Sequence, residues 1–245
     1  MPVPTALIPI HDQNPTRSFS YLTVALIAIN VALLLAEPSL GMGDSPQLST
    51  FFCRWGMIPW EVTHGEPATG FGECAGAGIS GKGVYTALFT SMFLHGGIVH
   101  LLGNMLFLWV FGNNIEDTLG RVRFLLFYLI TGLGASLAHV LVNPGSTIPT
   151  VGASGAISGL LGAYLILFPR ARIVSILPLW FFIRVIELPA VVVLGLWFVL
   201  QFVIGVGQQV GGAGVAWMAH VGGFLAGMGL ILALGGRRLI RSAYP

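Results

Sequence analysis

Charge is what this chain has least of. Only 8% of its 245 residues are Asp, Glu, Lys or Arg, and none of its nine acidic side chains falls within a long apolar run. With 55% hydrophobic residues and a mean hydropathy of +0.87, the chain carries more apolar surface than a soluble core can hide, which excludes an ordinary soluble globule. No basic cluster is interleaved with aromatics, so the net charge of +2 suggests no nucleic-acid surface. No H-E-x-x-H zinc motif occurs. Cysteine is nearly absent: Cys53 and Cys74 can pair in an oxidising exterior, and at this separation can equally remain free thiols.

What the chain does have is apolar length. Uncharged runs of about 17–20 residues, enough to cross the hydrocarbon of a bilayer, occupy residues 19–36, 124–142, 151–168, 188–206 and 215–234, and a longer, more polar one occupies 84–111. The pattern predicts an all-α polytopic membrane protein of six transmembrane helices, with both termini on one side. Placing the N-terminus inside puts Arg17, Arg121, Arg123, Arg170, Arg172, Arg184, Arg237, Arg238 and Arg241, nine of the eleven basic residues, on inner segments and leaves Arg54 and Lys82 outside. That is the asymmetry of the positive-inside rule. The termini are therefore expected in the cytoplasm and the protein in a multi-pass state, as in a bacterial inner membrane. The first run is read as a retained span rather than a cleaved signal, because no A-x-A site follows it.

Residues 1–18 read as a short, poorly ordered cytoplasmic tail, 19–235 as the six-span domain and 236–245 as a second tail. Within the domain, 37–83 is the outer loop, whose Phe51, Phe52, Trp55 and Trp60 suit the headgroup zone. Residues 112–120 read as a short inner turn. The segment 171–187, with its arginines and Trp180, reads as interfacial.

Polar side chains within the spans are few. Ser154 lies in Gly152-Ala153-Ser154-Gly155, where Gly155, Gly159 and Ala163 recur at four-residue spacing and form a groove that a second helix can press into. His220, Gly223 and Gly227 share one face of a later span at i, i+3 and i+7. Packing of the two seams would bring a hydroxyl and an imidazole within hydrogen-bond reach, as an activated serine nucleophile requires. His100 and Asn104, at i and i+4, share a face of the second span. Each alone reads as well as helix glue as it does as a functional group; together with Ser154 and His220 they favour function. Counting inward from the outer surface, all four converge in the outer half of the bilayer. His139 reads as structural or interfacial. Gln201 reads as glue or as the lining of a wet cavity.

A serine hydrolase needs a nucleophile, a base, and donors aimed where negative charge develops. Ser154 would attack and His220 would take its proton. His100, Asn104 and the main-chain N–H of Ser154 would stabilise the oxyanion. Because every carboxylate lies in a tail, loop or flank, this would be a dyad rather than a triad.

These residues resemble the rhomboid family of intramembrane serine proteases. The family's G-x-S-G is met by Gly152, Ser154 and Gly155, its H-x4-H-x3-N by His95, His100 and Asn104, and its A-H-x2-G-x3-G by Ala219, His220, Gly223 and Gly227. The resemblance runs from about Thr90 to Gly229. It implies that Ser154 and His220 form the dyad, that His100 and Asn104 contribute to the oxyanion hole, and that His95 supports them. It further implies that the fifth span gates lateral access and that the substrates are single transmembrane helices. No cofactor or metal is expected. Two positions depart from the pattern. Thr86 and Ala87 stand where many members carry Trp-Arg, and Ser158 stands where some carry a tyrosine stacked on the histidine.

Other readings compete. Imidazoles at His95, His100, His139 and His220 could ligate haem, but that leaves the surroundings of Ser154 unexplained. A rhomboid-like protein that binds membrane helices without cutting them would have lost the dyad, whose members are both present here. A soluble-type nucleophile elbow fails because Ala156 replaces its last Gly. A transporter would show discontinuous helices in matching halves, which are not evident.

Overall fold

The computed structural model describes residues 7–70, 72–77, 83–179, 182–209 and 216–243. In chain order these form β1 (Ile8–Asp12), α1 (Tyr21–Ala36), α2 (Pro46–Trp55), α3 (Pro59–His64), α4 (Ala87–Thr90), α5 (Ile98–Phe107), α6 (Asn113–Leu119), α7 (Arg121–Val142) and α8 (Ser154–Leu167), followed by β2 (Arg172–Leu179), β3 (Phe182–Pro189), α9 (Ala190–Gln209), α10 (Trp217–Ala233) and α11 (Arg238–Ala243).

Polarity runs inside out compared with a soluble bundle. Val99, Leu141, Val203 and Leu35 stand exposed, while Thr23, Asn30, Thr131 and Ser158 are buried. Exposed aliphatic flanks around a polar-containing interior are what a lipid-facing bundle requires. By length and composition, Ile98–Leu119 and Arg121–Val142, 22 residues each, can cross a membrane, and four shorter apolar helices accompany them.

Helix α8 is the axis of the bundle. It is buried on every side from Gly155 to Tyr164, with α7 against one flank and α10 against another. Small residues make this possible. A Cβ placed on Gly223 would collide with the carbonyl oxygen of Gly155, and one on Gly227 with that of Gly159. On the other flank, Gly159 faces Thr131 and Gly155 faces Ala135. The predicted seams therefore do pack against each other, and backbone meets backbone along α8 and α10.

Several expectations need correcting. The second apolar run is not one helix from residue 84. Its first part forms α4 and a single 3₁₀ turn, the chain reverses at Gly97 (φ +113°), and α5 starts only at Ile98. Residues 112–120 are not a turn, because α5 continues through a π-helical turn, Leu108–Gly112, into α6. The carboxylates there tie this helix to the start of α1. Glu116 accepts the N–H groups of Leu22 (3.0 Å) and Thr23 (2.7 Å), capping the start of α1, and Asp117 accepts the Ser18 hydroxyl at 2.8 Å. Acceptors at a helix N-terminus satisfy free amides and complement the dipole.

The all-helical expectation holds for the bundle but omits a small sheet of order β1-β2-β3. Residues 7–18 are thus not a loose tail: β1 pairs antiparallel with β2, and Asp12 is buried, accepting from Tyr164 Oη at 2.6 Å and Asn114 Nδ2 at 2.7 Å. Likewise 171–187 is mostly a β-hairpin whose β-branched residues suit extended backbone; Trp180 lies outside the described residues, as does Lys82. Part of the second tail is the helix α11.

Residues of the segment after α1 bond to the chain that leads into α8. Cys53 and Cys74 form a disulfide, which settles the open pairing. Met57 and Thr150 exchange main-chain hydrogen bonds at 2.7 and 3.1 Å, and Trp60 N–H donates to Ser146 O at 2.9 Å. The residues leading into Ser154 are therefore held from above.

Candidate active site

Ser154 is the first residue of α8 rather than the third or fourth of a helix begun earlier. Gly152 sets this boundary: its φ of +135° is a conformation that side chains other than hydrogen resist, and the helix can start only after it. The N–H of Gly152 donates to Ser91 O at 2.8 Å, tying the loop to the turn before α5. Ser154 thus sits where the amides of a helix N-terminus are free and the dipole is positive.

His220 is the fourth residue of α10. Across the glycine seam, its Nε2 lies 2.8 Å from Ser154 Oγ. Its Nδ1 lies 2.7 Å from Gln201 Oε1 on α9, and the Trp197 ring, one turn away on the same face, sits 6.0 Å from the imidazole. Ser158 does not reach the histidine. Its hydroxyl donates instead to Ser154 O at 2.6 Å.

His100 comes from the third residue of α5 and Asn104 from one turn further on. Gly96 lies in the preceding reversal, and its main-chain N–H donates to His100 Nδ1 at 3.2 Å. The space that a Cβ on Gly152 would fill is 3.0 Å from His100 Nε2 and 3.5 Å from Ser154 Oγ, so both groups border one small gap. Asn104 is buried, and its amide nitrogen has no hydrogen-bond partner among the described residues. His95 is fully buried in the reversal, edge-on to the His100 ring at 5.2 Å, and its main-chain N–H donates to Glu37 Oε1 at 3.0 Å.

One cavity of about 1000 Å³ gathers Ser154, His220, His100, Asn104, Trp197 and Gln201. His139 also lines it, within 3.5 Å of the Asn143 amide. Gly155, Gly223 and Gly227 lie in the seam. Every residue singled out from the sequence as catalytic or oxyanion-stabilising therefore meets in one place. Among the described residues no group of three or more His, Cys, Asp or Glu is disposed to hold a metal. The sequence reading left open what Gln201 does and missed the role of Gly96. A lone Gln in an apolar span signals an inward-facing polar contact without naming its partner, and a main-chain donor leaves no mark in a motif.

Arranged this way, the groups can run acyl transfer: a hydroxyl beside a base, next to a gap bordered by an imidazole donor and helix-terminal amides. Comparison with known proteins shows the family. The rhomboid domain family model matches residues 82–237. Over 223 residues, 91% of this chain and 36% of the relative, the sequence is 32% identical to rhomboid protease GluP of Bacillus subtilis (strain 168). It is 36% identical to RHOMBOID-like protein 5 of Arabidopsis thaliana over 60% of this chain and 44% of the relative. With Rhomboid protein 1, mitochondrial, of Saccharomyces cerevisiae the identity is 30% over 58% and 40%. The chain thus spans less than half the length of these curated relatives.

Proposed function

The chain belongs to the rhomboid family, and from that premise we propose that it is an intramembrane serine endopeptidase with Ser154 and His220 as its catalytic dyad. The observation that carries the reading is the 2.8 Å separation of Ser154 Oγ and His220 Nε2 across the α8–α10 seam.

Ser154 Oγ attacks the carbonyl carbon of a scissile peptide bond while His220 Nε2 takes the hydroxyl proton. The tetrahedral oxyanion is held by His100 Nε2–H, the Asn104 amide and the N–H of Ser154. Collapse breaks the C–N bond, and the leaving amine takes the proton from His220. Water, deprotonated by His220, then hydrolyses the acyl-enzyme and restores Ser154. His95 packs behind His100 and keeps its ring in place.

The substrates are transmembrane helices of single-span membrane proteins, reached through the bilayer. Helix α9, which walls the cavity with Trp197 and Gln201, is the side from which they approach. The topology is six spans with both termini cytoplasmic, in a bacterial inner membrane, and the six apolar helices and the arginine distribution support it.

A serine-reactive fluorophosphonate probe applied to the purified protein tests the dyad. Labelling of wild type, absent in Ser154→Ala and strongly reduced in His220→Ala, is the expected result. Equal labelling of Ser154→Ala would overturn it.

A further inference from the structure

A histidine that is to accept a proton at Nε2 must carry its own ring proton on Nδ1. If the proton sits on Nε2 instead, that nitrogen donates to Ser154 and cannot act as base. The productive tautomer therefore needs a hydrogen-bond acceptor at Nδ1. In a serine triad a carboxylate fills this place, but none of the nine acidic residues lines the cavity. Ser158 is turned away, bonded to Ser154 O. Trp197, whose ring centroid lies 6.0 Å from that of the imidazole, has no acceptor atom to offer. What does stand at Nδ1 is Gln201 Oε1, at 2.7 Å.

We infer that Gln201 is the positioning residue of the dyad: it accepts the Nδ1–H of His220, selects the tautomer in which Nε2 can take the Ser154 proton, and fixes the plane of the ring. The side chain is held for this purpose. It is buried, and its helix α9 is anchored to α10 by Phe198 against Phe224 (ring centroids 4.7 Å) and Trp197 against Phe224 (6.0 Å). An uncharged acceptor suits the setting, because a carboxylate here would have to be desolvated with only a neutral imidazole to compensate. A glutamine amide can also rotate and present its NH₂ group to Nδ1, which would favour the inert tautomer. That ambiguity makes the inference testable, since a carboxylate, once ionised, can take only the accepting part that the role requires.

The inference rests on the protease reading, and the experiment separates the two. Wild type, Gln201→Leu, Gln201→Glu and Ser154→Ala are purified as full chains in detergent. For each, kcat and KM on a single-span model substrate, the fluorophosphonate labelling rate and the thermal midpoint are measured. Gln201→Leu is expected to lose roughly 10–100-fold in kcat and in labelling rate with KM little changed, less than the ~10⁴-fold that follows loss of a triad carboxylate. Gln201→Glu, of the same reach and purely an acceptor once ionised, is expected to recover most of that loss as pH is raised through the titration of its carboxyl. Because the probe is small, its labelling rate reports the dyad and not the admission of a helix. Wild-type kcat and labelling in Gln201→Leu, with only a lower thermal midpoint, would reduce Gln201 to helix glue. Equal loss in the Leu and Glu variants with intact folding would equally overturn the acceptor role. Activity remaining in Ser154→Ala would bring down the protease reading itself, a result distinguishable from either.

Discussion

The main-chain N–H of Gly96 points at Nδ1 of His100 from 3.2 Å. An imidazole nitrogen that accepts cannot carry the proton, so in the neutral ring the proton resides on Nε2, the nitrogen bordering the gap beside Ser154 Oγ. The chain reversal before α5 thus converts an ambidextrous side chain into a fixed donor. His220 is turned the opposite way, with its proton held at the far nitrogen and its acceptor facing the serine. Two histidines in one cavity take opposite tautomers because their outer nitrogens meet opposite partners, an amide N–H and an amide carbonyl.

That arrangement sets the expected behaviour of the oxyanion donors. Asn104→Ala should lower kcat by roughly 10–10³-fold with little change in KM, the loss typical of one oxyanion-hole donor, and His100→Ala should do the same. Steady-state kinetics on a model substrate reads this directly. An effect confined to thermal stability, with kcat intact, would return both residues to helix glue.

The seam makes a structural prediction with an internal control. In Gly223→Ala the new methyl meets the carbonyl oxygen of Gly155, which is backbone and cannot rotate aside, so α10 must shift and His220 with it. Overpacking of this kind typically costs about 1–3 kcal/mol. Gly229→Ala, on the same helix with open space around it, should leave both stability and labelling near wild type. Equal thermal midpoints for the two variants would mean that α8 and α10 are not pressed together as described.

Much of this architecture was legible in the sequence because the spans are long and their polar exceptions few. The spacing of Gly155 with Gly159, and of His220 with Gly223 and Gly227, depends only on helix periodicity, and so did the shared face of His100 and Asn104. What could not be read is non-local. The pairing of Ile8 with Ile176 joins segments that no periodicity links, and Asp12 looks like an ordinary tail acid until Tyr164 and Asn114 are found around it. Helix starts also misled: hydropathy is continuous through Gly97 and Gly152, where the backbone is not, and those two glycines decide that His100 and Ser154 stand at helix beginnings. Gln201 announced a polar contact, but only the packing of α9 against α10 says with what.

The disulfide offers a third prediction. Cys53 and Cys74 close a loop with a sequence separation of 21 residues, and the loop contains the Met57 contacts that hold Thr150. Loops of this size are stabilised by about 3 kcal/mol through the entropy removed from the unfolded chain. The Cys53→Ser, Cys74→Ser double variant should therefore melt well below wild type in a differential scanning assay, and reductant should lower wild type towards it. An unchanged midpoint would show that the loop is held by its packing alone.

Asp12 gives the pH dependence. Burial holds its carboxyl above the ordinary carboxylate range, against the opposing pull of the Tyr164 hydrogen bond, the neighbouring His11 and the Asn114 amide. The native state therefore binds this proton more tightly than the unfolded chain does. Stability falls as pH rises from the unfolded carboxylate value through the folded one and is flat above it. Asp12→Asn keeps an oxygen for Tyr164 and Asn114 and should abolish that slope, while Asp12→Ala strands both donors and should cost about 1–3 kcal/mol at all pH values. Thermal midpoints measured from acid to neutral pH check both, and parallel curves for wild type and Asp12→Asn would refute the linkage.

Where the substrate is cut follows from the ends of the helices that carry the site. Ser154 begins α8, His100 is the third residue of α5 and His220 the fourth of α10. At 1.5 Å per residue, all three lie within about 5 Å of their helix starts. In the proposed topology those starts face outward, so the nucleophile waits near the outer surface rather than at the bilayer centre. A peptide bond in a substrate helix is shielded by its own turn, and local unwinding must precede attack. Gly or Pro near the outer end of a substrate span makes that unwinding cheaper, by about 1 and 3 kcal/mol respectively relative to Ala. Cleavage is therefore expected in or just outside the outer third of single-span substrates, faster when a helix breaker is placed there, with release of the external portion. The resemblance to the rhomboid family further implies a small residue before the scissile bond. Mass spectrometry of products from a panel of model substrates reads the positions, and cuts clustered near the cytoplasmic end would mean that the topology or the role of Ser154 is wrong.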